Sequence, residues 1–177
     1  MSAMRKSKMA GRSFGATLVL LVASVAGAAE SEDVQRFLVK SYQDGVAEIR
    51  LCNLALQKSQ NPDVRKFAER MIRDHSATDA RIEAIAREKR ITLPAKPSLK
   101  QTATYDMLSL KSGPGFDETF MEHNVSDHEG DVKDFTNQVR DAADPVVKAF
   151  ARRTVVTLKK HLKLSRSVRD QIKKNRT

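Results

Sequence analysis

The sequence predicts an all-α protein, an antiparallel four-helix bundle with one long crossover between its second and third helices. Three observations carry this. Apolar residues recur at threes and fours, with no Trp and no alternating stretch of strand length. Two short steps, Asn61-Pro62 and Asp144-Pro145, stop and restart the helical pattern. Between the resulting hairpins lie about 25 residues carrying Pro94, Pro97 and Ser112-Gly113-Pro114-Gly115.

The first long helix is expected from Ser31, a plausible N-cap, to Gln60, with Val34, Leu38, Tyr42, Gly45, Ile49, Cys52 and Leu56 on its inner stripe. Asn is a favoured N-cap and Pro a favoured first helical residue, so Asn61-Pro62 opens the second. That helix carries Val64, Ala68, Met71, His75, Ile82 and Ile85 inward and ends near Arg90. Leu99 to Leu110 has the length of one short helix inside the crossover. The third long helix is expected over Phe116–Ala142, with Phe120, Met121, Val125, His128, Val132, Phe135 and Val139 inward. Asp144-Pro145 repeats the cap-plus-proline signal. The fourth helix follows to about Lys174, with Val147, Phe150, Ala151, Thr154, Leu158, His161, Val168 and Ile172 on its seam.

Connections of one to three residues force each helix pair to be antiparallel. The middle link is long enough to run the length of a helix of roughly 28 residues, about 42 Å at 1.5 Å per residue. Two hairpins with one such crossover is the ferritin-like topology. A simple up-down-up-down bundle needs only a short loop there.

The N-terminus has the three parts of a cleavable secretory signal peptide. Arg5, Lys6, Lys8 and Arg12 come without an acid, an apolar run spans Phe14 to Val25, and Ala26-Gly27-Ala28 offers small residues for a cut. The run is too short for a spanning helix, which needs roughly 20 apolar residues. The expected domains are therefore a leader over 1–28 and a helical bundle over 29–177. No later segment is apolar enough to cross a membrane, so the mature protein is expected to be exported, most simply to a periplasm. Its formal charge falls from +10 to +6 once the leader is gone. Cys52 is the single cysteine, which excludes an internal disulfide; its place on the apolar stripe predicts burial as a small hydrophobe.

Three of the four histidines fall on predicted seams: His75, His128 and His161. Glu48 flanks the seam of the first helix. Their heights agree as well. Glu48 lies 13 residues before the Asn61 turn and His75 lies 14 after it. His128 lies 16 before the Asp144 turn and His161 lies 17 after it. Within each hairpin the mismatch is one residue, about 1.5 Å of rise. Inward ligands converging from facing helices are what a bundle metal site requires. Three imidazoles and a carboxylate suit Zn²⁺, and the set contains the two-His, one-carboxylate combination that suits iron. Asp79 and Asp131, one turn after His75 and His128, are candidates to orient them from outside. The alternative is a buried polar layer that fixes helix register, its imidazoles satisfied by those same acids. His123 lies off the seam and is expected at the surface.

From Lys148 to Thr177 there are eleven Lys or Arg and one acid, Asp170. Part of this is a solvated helix face. Lys159, Lys160, Lys163, Arg166 and Arg169 are also candidates to bind anionic envelope polymers or lipid headgroups. No aromatic platform interleaves these charges, and export argues against nucleic acid. No P-loop, dinucleotide fingerprint or nucleophile triad is present, so no organic cofactor is expected.

Several stretches together resemble the bacterial family known as domain of unknown function 4142. They are Phe37 to Lys58 with Glu48, Val64-Arg65-Lys66-Phe67-Ala68, Arg70-Met71-Ile72, Asp74-His75, Leu93-Pro94, Phe116-Asp117, Asp127-His128 and His161-Leu162. The resemblance covers nearly all of the mature chain. It implies an exported ferritin-like bundle and no particular activity. Thr154-Val155-Val156-Thr157 stands where the family often has a proline before the last histidine, which predicts a straighter final helix. No Glu-x-x-His occurs, which argues against a ferritin-type di-iron oxidase.

Three classes of function follow. One is an exported metal-binding bundle, with redox or stress-protective chemistry as its use. The second is a non-catalytic bundle held to anionic envelope components by its last helix. The third, a hydrolase-like metalloenzyme, is disfavoured because no general base flanks the cluster. Whether the protein is an enzyme, and its oligomeric state, stay open at this level.

Overall fold

Two side-chain caps set the architecture. The computed structural model describes residues 17–175, with side chains from residue 31 onward. It contains five helices: α1 Thr17–Lys58, α2 Pro62–Lys89, α3 Leu99–Ser109, α4 Gly113–Asp141 and α5 Pro145–Lys174. The Asn61 carboxamide oxygen accepts from the backbone N–H groups of Asp63 and Val64 at the start of α2. The Asp144 carboxylate does the same for Val146 and Val147 at the start of α5. Each cap satisfies amides that the first helical turn leaves unbonded, and each is followed by proline at the first helical position. Lys89 at the end of α2 pairs with Asp144, tying the two hairpins together at that end.

Two apolar clusters fix the helix directions. One contains Leu51 and Ala55 of α1, Val64, Phe67 and Met71 of α2, Phe116 and Phe120 of α4, and Val168 and Ile172 of α5. The other contains Val34 and Leu38 of α1, Ile82 and Ile85 of α2, Phe135 of α4, and Val147 and Phe150 of α5. Thus α1 and α5 run one way, α2 and α4 the other, and the crossover returns the chain along the bundle. Burying each large apolar side chain contributes about 1.5–3 kcal/mol. Phe67 stacks edge-on to Phe120 at 6.2 Å in the first cluster, and Phe37 to Phe135 at 5.0 Å in the second.

The crossover helix α3 starts at a reciprocal cap. Ser98 Oγ accepts from the Gln101 N–H, and the Gln101 side chain accepts from the Ser98 N–H. Gln101 also donates to Asp44 of α1 at 2.7 Å, which lays α3 against the first hairpin. Leu108 of α3 is fully buried in the first cluster.

Several expectations are corrected. Ser31 does not begin a helix, because α1 runs through it from Thr17; the alanine-rich stretch before it has high helix propensity. The Arg5–Arg12 start and Phe14 of the apolar run lie outside the described residues, and the expected cut near Ala28 falls within the backbone of α1. The inner stripe of α1 is rotated from the expected one. Ile49 and Leu56 are half-buried, while Ala47, Glu48, Leu51 and Ala55 are buried. In α4, Val132 and Val139 are half-buried, and Asp117, Asn124 and Asp131 take inner positions. Gly45 allows a close approach of α2, since a Cβ there would overlap the carboxylate of Asp79. Among the described residues no helix is long and apolar enough to cross a membrane.

Candidate metal centre

Between the two apolar clusters lies a polar layer. His75 of α2, His128 of α4 and His161 of α5 meet there, all buried, with one ring nitrogen from each within 4.8 Å of the others. The ring centroids lie 5.4 to 5.7 Å apart. Their position follows from the helical register, since each imidazole lies roughly midway along its helix.

The rings are anchored from behind. His128 Nδ1–H donates to the backbone carbonyl of Asn124 at 2.9 Å. His161 Nε2–H donates to the Asp74 carboxylate at 2.7 Å, across the α2/α5 interface. A neutral imidazole has one N–H and one lone pair, so these bonds fix which nitrogen keeps the lone pair. His128 Nε2, His161 Nδ1 and His75 Nε2 are all buried without a hydrogen-bond partner. Buried polar atoms are seldom left so. These three atoms belong to the rings that converge, and two of those rings turn their only N–H away; Glu48, Asp79, Asp117 and Asn124 each hold a further such oxygen.

Electrostatics keep the rings uncharged. Burial, reinforced by His128 and His161, lowers the pKa of His75 to about 3. Burial lowers His128 to about 4, against the opposing pull of its bond to Asn124. Burial also lowers His161, which Asp74 only partly offsets. Asp74 itself is raised by burial but ends below its usual value because His161 and Arg70 hold its charged form. Both values fall: burial disfavours the imidazolium of His161, while the partly exposed Asp74 is held in its charged form by its partners. We therefore read a neutral imidazole donating to an ionised carboxylate. Neutral imidazoles that converge with free ring nitrogens are ready ligands and need shed no proton to bind.

The remaining predicted residues stand elsewhere. Glu48 is 2 % exposed, but it accepts from Cys52 Sγ–H at 3.1 Å, one turn along its own helix, and its other oxygen has no partner. It is not within the 4.8 Å set. Burial, then the nearby Asp127, raise its pKa to about 8, so it is protonated at neutral pH. Cys52 is buried and free, its thiol pushed well up by burial and by Glu48. No hydrogen bond joins Asp79 to His75 or Asp131 to His128. His128 gives its Nδ1–H to the Asn124 carbonyl one turn earlier, and the Asp79 carboxylate is packed against α1. Asp79 lies against Gly45 and is raised to about 7 by burial and by Glu83. Burial, with Asp127 and Asp44, raises Asp131 well above the usual range. His123 is half-buried and lines a cavity of about 480 Å³ beneath α3 together with Asp44, Glu48 and Asp127.

The anchoring residue that sequence reasoning missed is Asp74. As the neighbour of His75 it points about 100° around α2, away from that ring and toward the facing helix. The available signal was a carboxylate on the α2 edge at the height of His161. Of the basic residues of the last helix, Arg166 pairs with Glu129 and Arg169 with Asp170. Lys159, Lys160 and Lys163 have no ion pair among the described residues.

Fold and site together define a class: an all-helical bundle protein with a buried three-histidine centre between two apolar half-cores. Residues 21–168 match the family model of the domain of unknown function DUF4142, and the chain belongs to that family. In sequence, no curated protein matches it. In structure it is similar to a DUF305 fragment from Deinococcus radiodurans, with TM-score 0.70 and 19% identity over 78% of this chain and 95% of that one. CopM in its Cu(II)-bound form is similar too, with TM-score 0.67, 17% identity and coverage of 78% and 96%. So is a DUF305 protein from Streptomyces coelicolor provisionally described as secreted, with TM-score 0.66, 11% identity and coverage of 78% and 93%. At these identities the likeness concerns the fold alone.

Proposed function

We propose that the protein is an exported metal-binding bundle whose centre is His75, His128 and His161. The observation that supports it best is the convergence of three buried imidazoles, each with a ring nitrogen that has no hydrogen-bond partner. Nitrogen-only donors favour Zn²⁺ or copper over Mg²⁺ or Ca²⁺. Copper joins the expected Zn²⁺ because the similarly folded CopM is known with Cu(II) bound. Iron in a two-His, one-carboxylate set requires Glu48 to leave Cys52 and turn toward the rings. Asp74 and the Asn124 carbonyl then serve as the outer partners that orient ligating imidazoles. Export rests on the leader-like first 28 residues, with the description of the Streptomyces protein in support.

Elemental analysis of untagged protein, wild type and His128→Ala side by side, tests the reading. About one Zn or Cu per chain in wild type, lost in the variant, is expected. Metal-free wild type that also fails to bind either ion in calorimetry overturns it, leaving the layer as a register device.

A second reading concerns partners. The unpaired Lys159, Lys160 and Lys163 support attraction to anionic envelope components, with Arg166 and Arg169 already engaged by acids.

A further inference from the structure

Two adjoining pockets between α2 and α5 form a groove on the outer face of the bundle. One half, about 410 Å³, is lined by Arg70, Arg81, Arg153 and Lys160 together with Asp74, Thr154 and Thr157. The other half, about 440 Å³, is lined by Ala84, Ile85, Pro145, Val146, Ala149 and Phe150. Arg81 and Arg153 line both halves and stand at the junction. Each volume lies in the range of roughly 300–1,000 Å³ usual for small-ligand sites.

The charge in the cationic half is not spoken for. Among the described residues Arg81, Arg153 and Lys160 have no ion pair. Arg70 binds Asp74, which His161 also holds, so the single acid present is engaged. Four cations face one carboxylate there. The apolar half has the buried Phe150 and Ile85 as its floor and Val146, 44% exposed, as a wall.

We infer that this α2/α5 groove binds an anionic amphiphile, a molecule with a phosphate or carboxylate head and an apolar tail. The head lies among Arg81, Arg153 and Lys160, and the tail over Ile85, Val146 and Phe150. A linear polyanion fits less well, because beyond the shared Arg81 and Arg153 the second half offers it only apolar side chains. A free small anion leaves that half uncovered. The inference rests on the anionic-partner reading and sharpens it: the determinants are the groove residues, not the outward lysines of α5. It does not require a metal at the histidine centre, although Asp74 borders both.

The test uses the purified protein and three probes: dodecyl phosphate below its micellar concentration, inorganic phosphate and dodecyl maltoside. Calorimetry is expected to give one dodecyl phosphate per chain, bound at least tenfold more tightly than either other probe. Arg81→Glu, Arg153→Glu and Ala149→Glu should each weaken it tenfold or more. Lys159→Glu and Lys163→Glu should change it less than twofold. These positions are exposed, and melting curves confirm that the variants fold. Equal affinity for inorganic phosphate overturns the inference, as does an equal loss in the two lysine variants. So does full displacement of dodecyl phosphate by an acidic peptide without a tail. If vesicles of anionic lipid still bind wild type and Arg81→Glu alike, in a salt-dependent way, the general anionic-partner reading survives and the groove does not. If no anionic vesicle binds, the general reading falls as well.

Discussion

Replacing Asp74 with alanine tests the metal centre without touching a proposed ligand. The carboxylate accepts from His161 Nε2–H at 2.7 Å, and His161 is 2% exposed. Removing such an outer partner typically costs 10–100-fold in metal affinity. Suppose Zn²⁺ is supplied at about 100 times the wild-type dissociation constant. The ion then stabilises the fold by about 2.7 kcal/mol. At about 2–4 °C per kcal/mol for a chain of this size, melting should rise by roughly 5–11 °C. In Asp74→Ala the same Zn²⁺ stands at only about 1–10 times the dissociation constant, worth about 0.4–1.4 kcal/mol. The rise should shrink to about 1–6 °C. The metal-free variant should also lose about 1.5–3 kcal/mol at most for the charged hydrogen bond, less because Asp74 is partly exposed. Differential scanning calorimetry with chelator and with Zn²⁺ gives both figures from one sample. Asp74→Asn, which keeps an acceptor oxygen, should lie between. If Asp74→Ala shows the full wild-type increment, Asp74 does not orient a metal ligand and the outward anchoring of His161 is structural only.

Further outcomes follow from the same structure. Chelated protein should be most stable between about pH 4.5 and 6.5. Below that window the unfolded chain takes up protons that buried His75 and His128, near 3 and 4, refuse, so stability falls with acid. Above it, unfolding releases the protons that Glu48 and Asp79 hold up to about 8 and 7, so stability falls toward alkali. Glu48→Gln should flatten the alkaline limb in a plot of melting temperature against pH, and an unchanged limb counts against a protonated Glu48. Gly45→Ala should destabilise the chelated protein by about 1–3 kcal/mol in urea melts, because the new methyl displaces Asp79. Phe120→Ala, at the heart of the first apolar cluster, should cost about 3–5 kcal/mol by the same assay. N-terminal sequencing of envelope-derived protein should begin at residue 29 or 30, and finding Met1 there would remove the case for a cleaved leader.

The sequence made the hairpins legible because their signals are local. Asn61-Pro62 and Asp144-Pro145 each write a cap and a restart within two residues, and the structure uses both as written. The convergence of His75, His128 and His161 was legible for a different reason: a bundle converts residue counts from a turn directly into height. What stayed hidden depended on side-chain direction and on rotation about a helix axis. A stripe that includes Ile49 and one that includes Glu48 differ by one position, about 100°, and only packing against α2 and α4 decides between them. Asp74 was hidden because its partner lies 87 residues away on another helix. The Ser98 cap was locally encoded by Gln101 three residues later, a signal present in the sequence and passed over.

The three imidazoles are divided unequally between the hairpins: α1/α2 supplies His75, while α4/α5 supplies His128 and His161. Local contacts generally form faster than long-range ones, so each hairpin is expected to form before the two dock. Two of the three imidazoles would thus be together before the bundle closes, and the last arrives only with docking. A cation that meets the second hairpin early finds two nitrogens already in place, and it captures the third as the halves come together. Metal supplied during refolding should therefore speed the final docking phase, whereas metal supplied afterwards must enter a layer that is already shut.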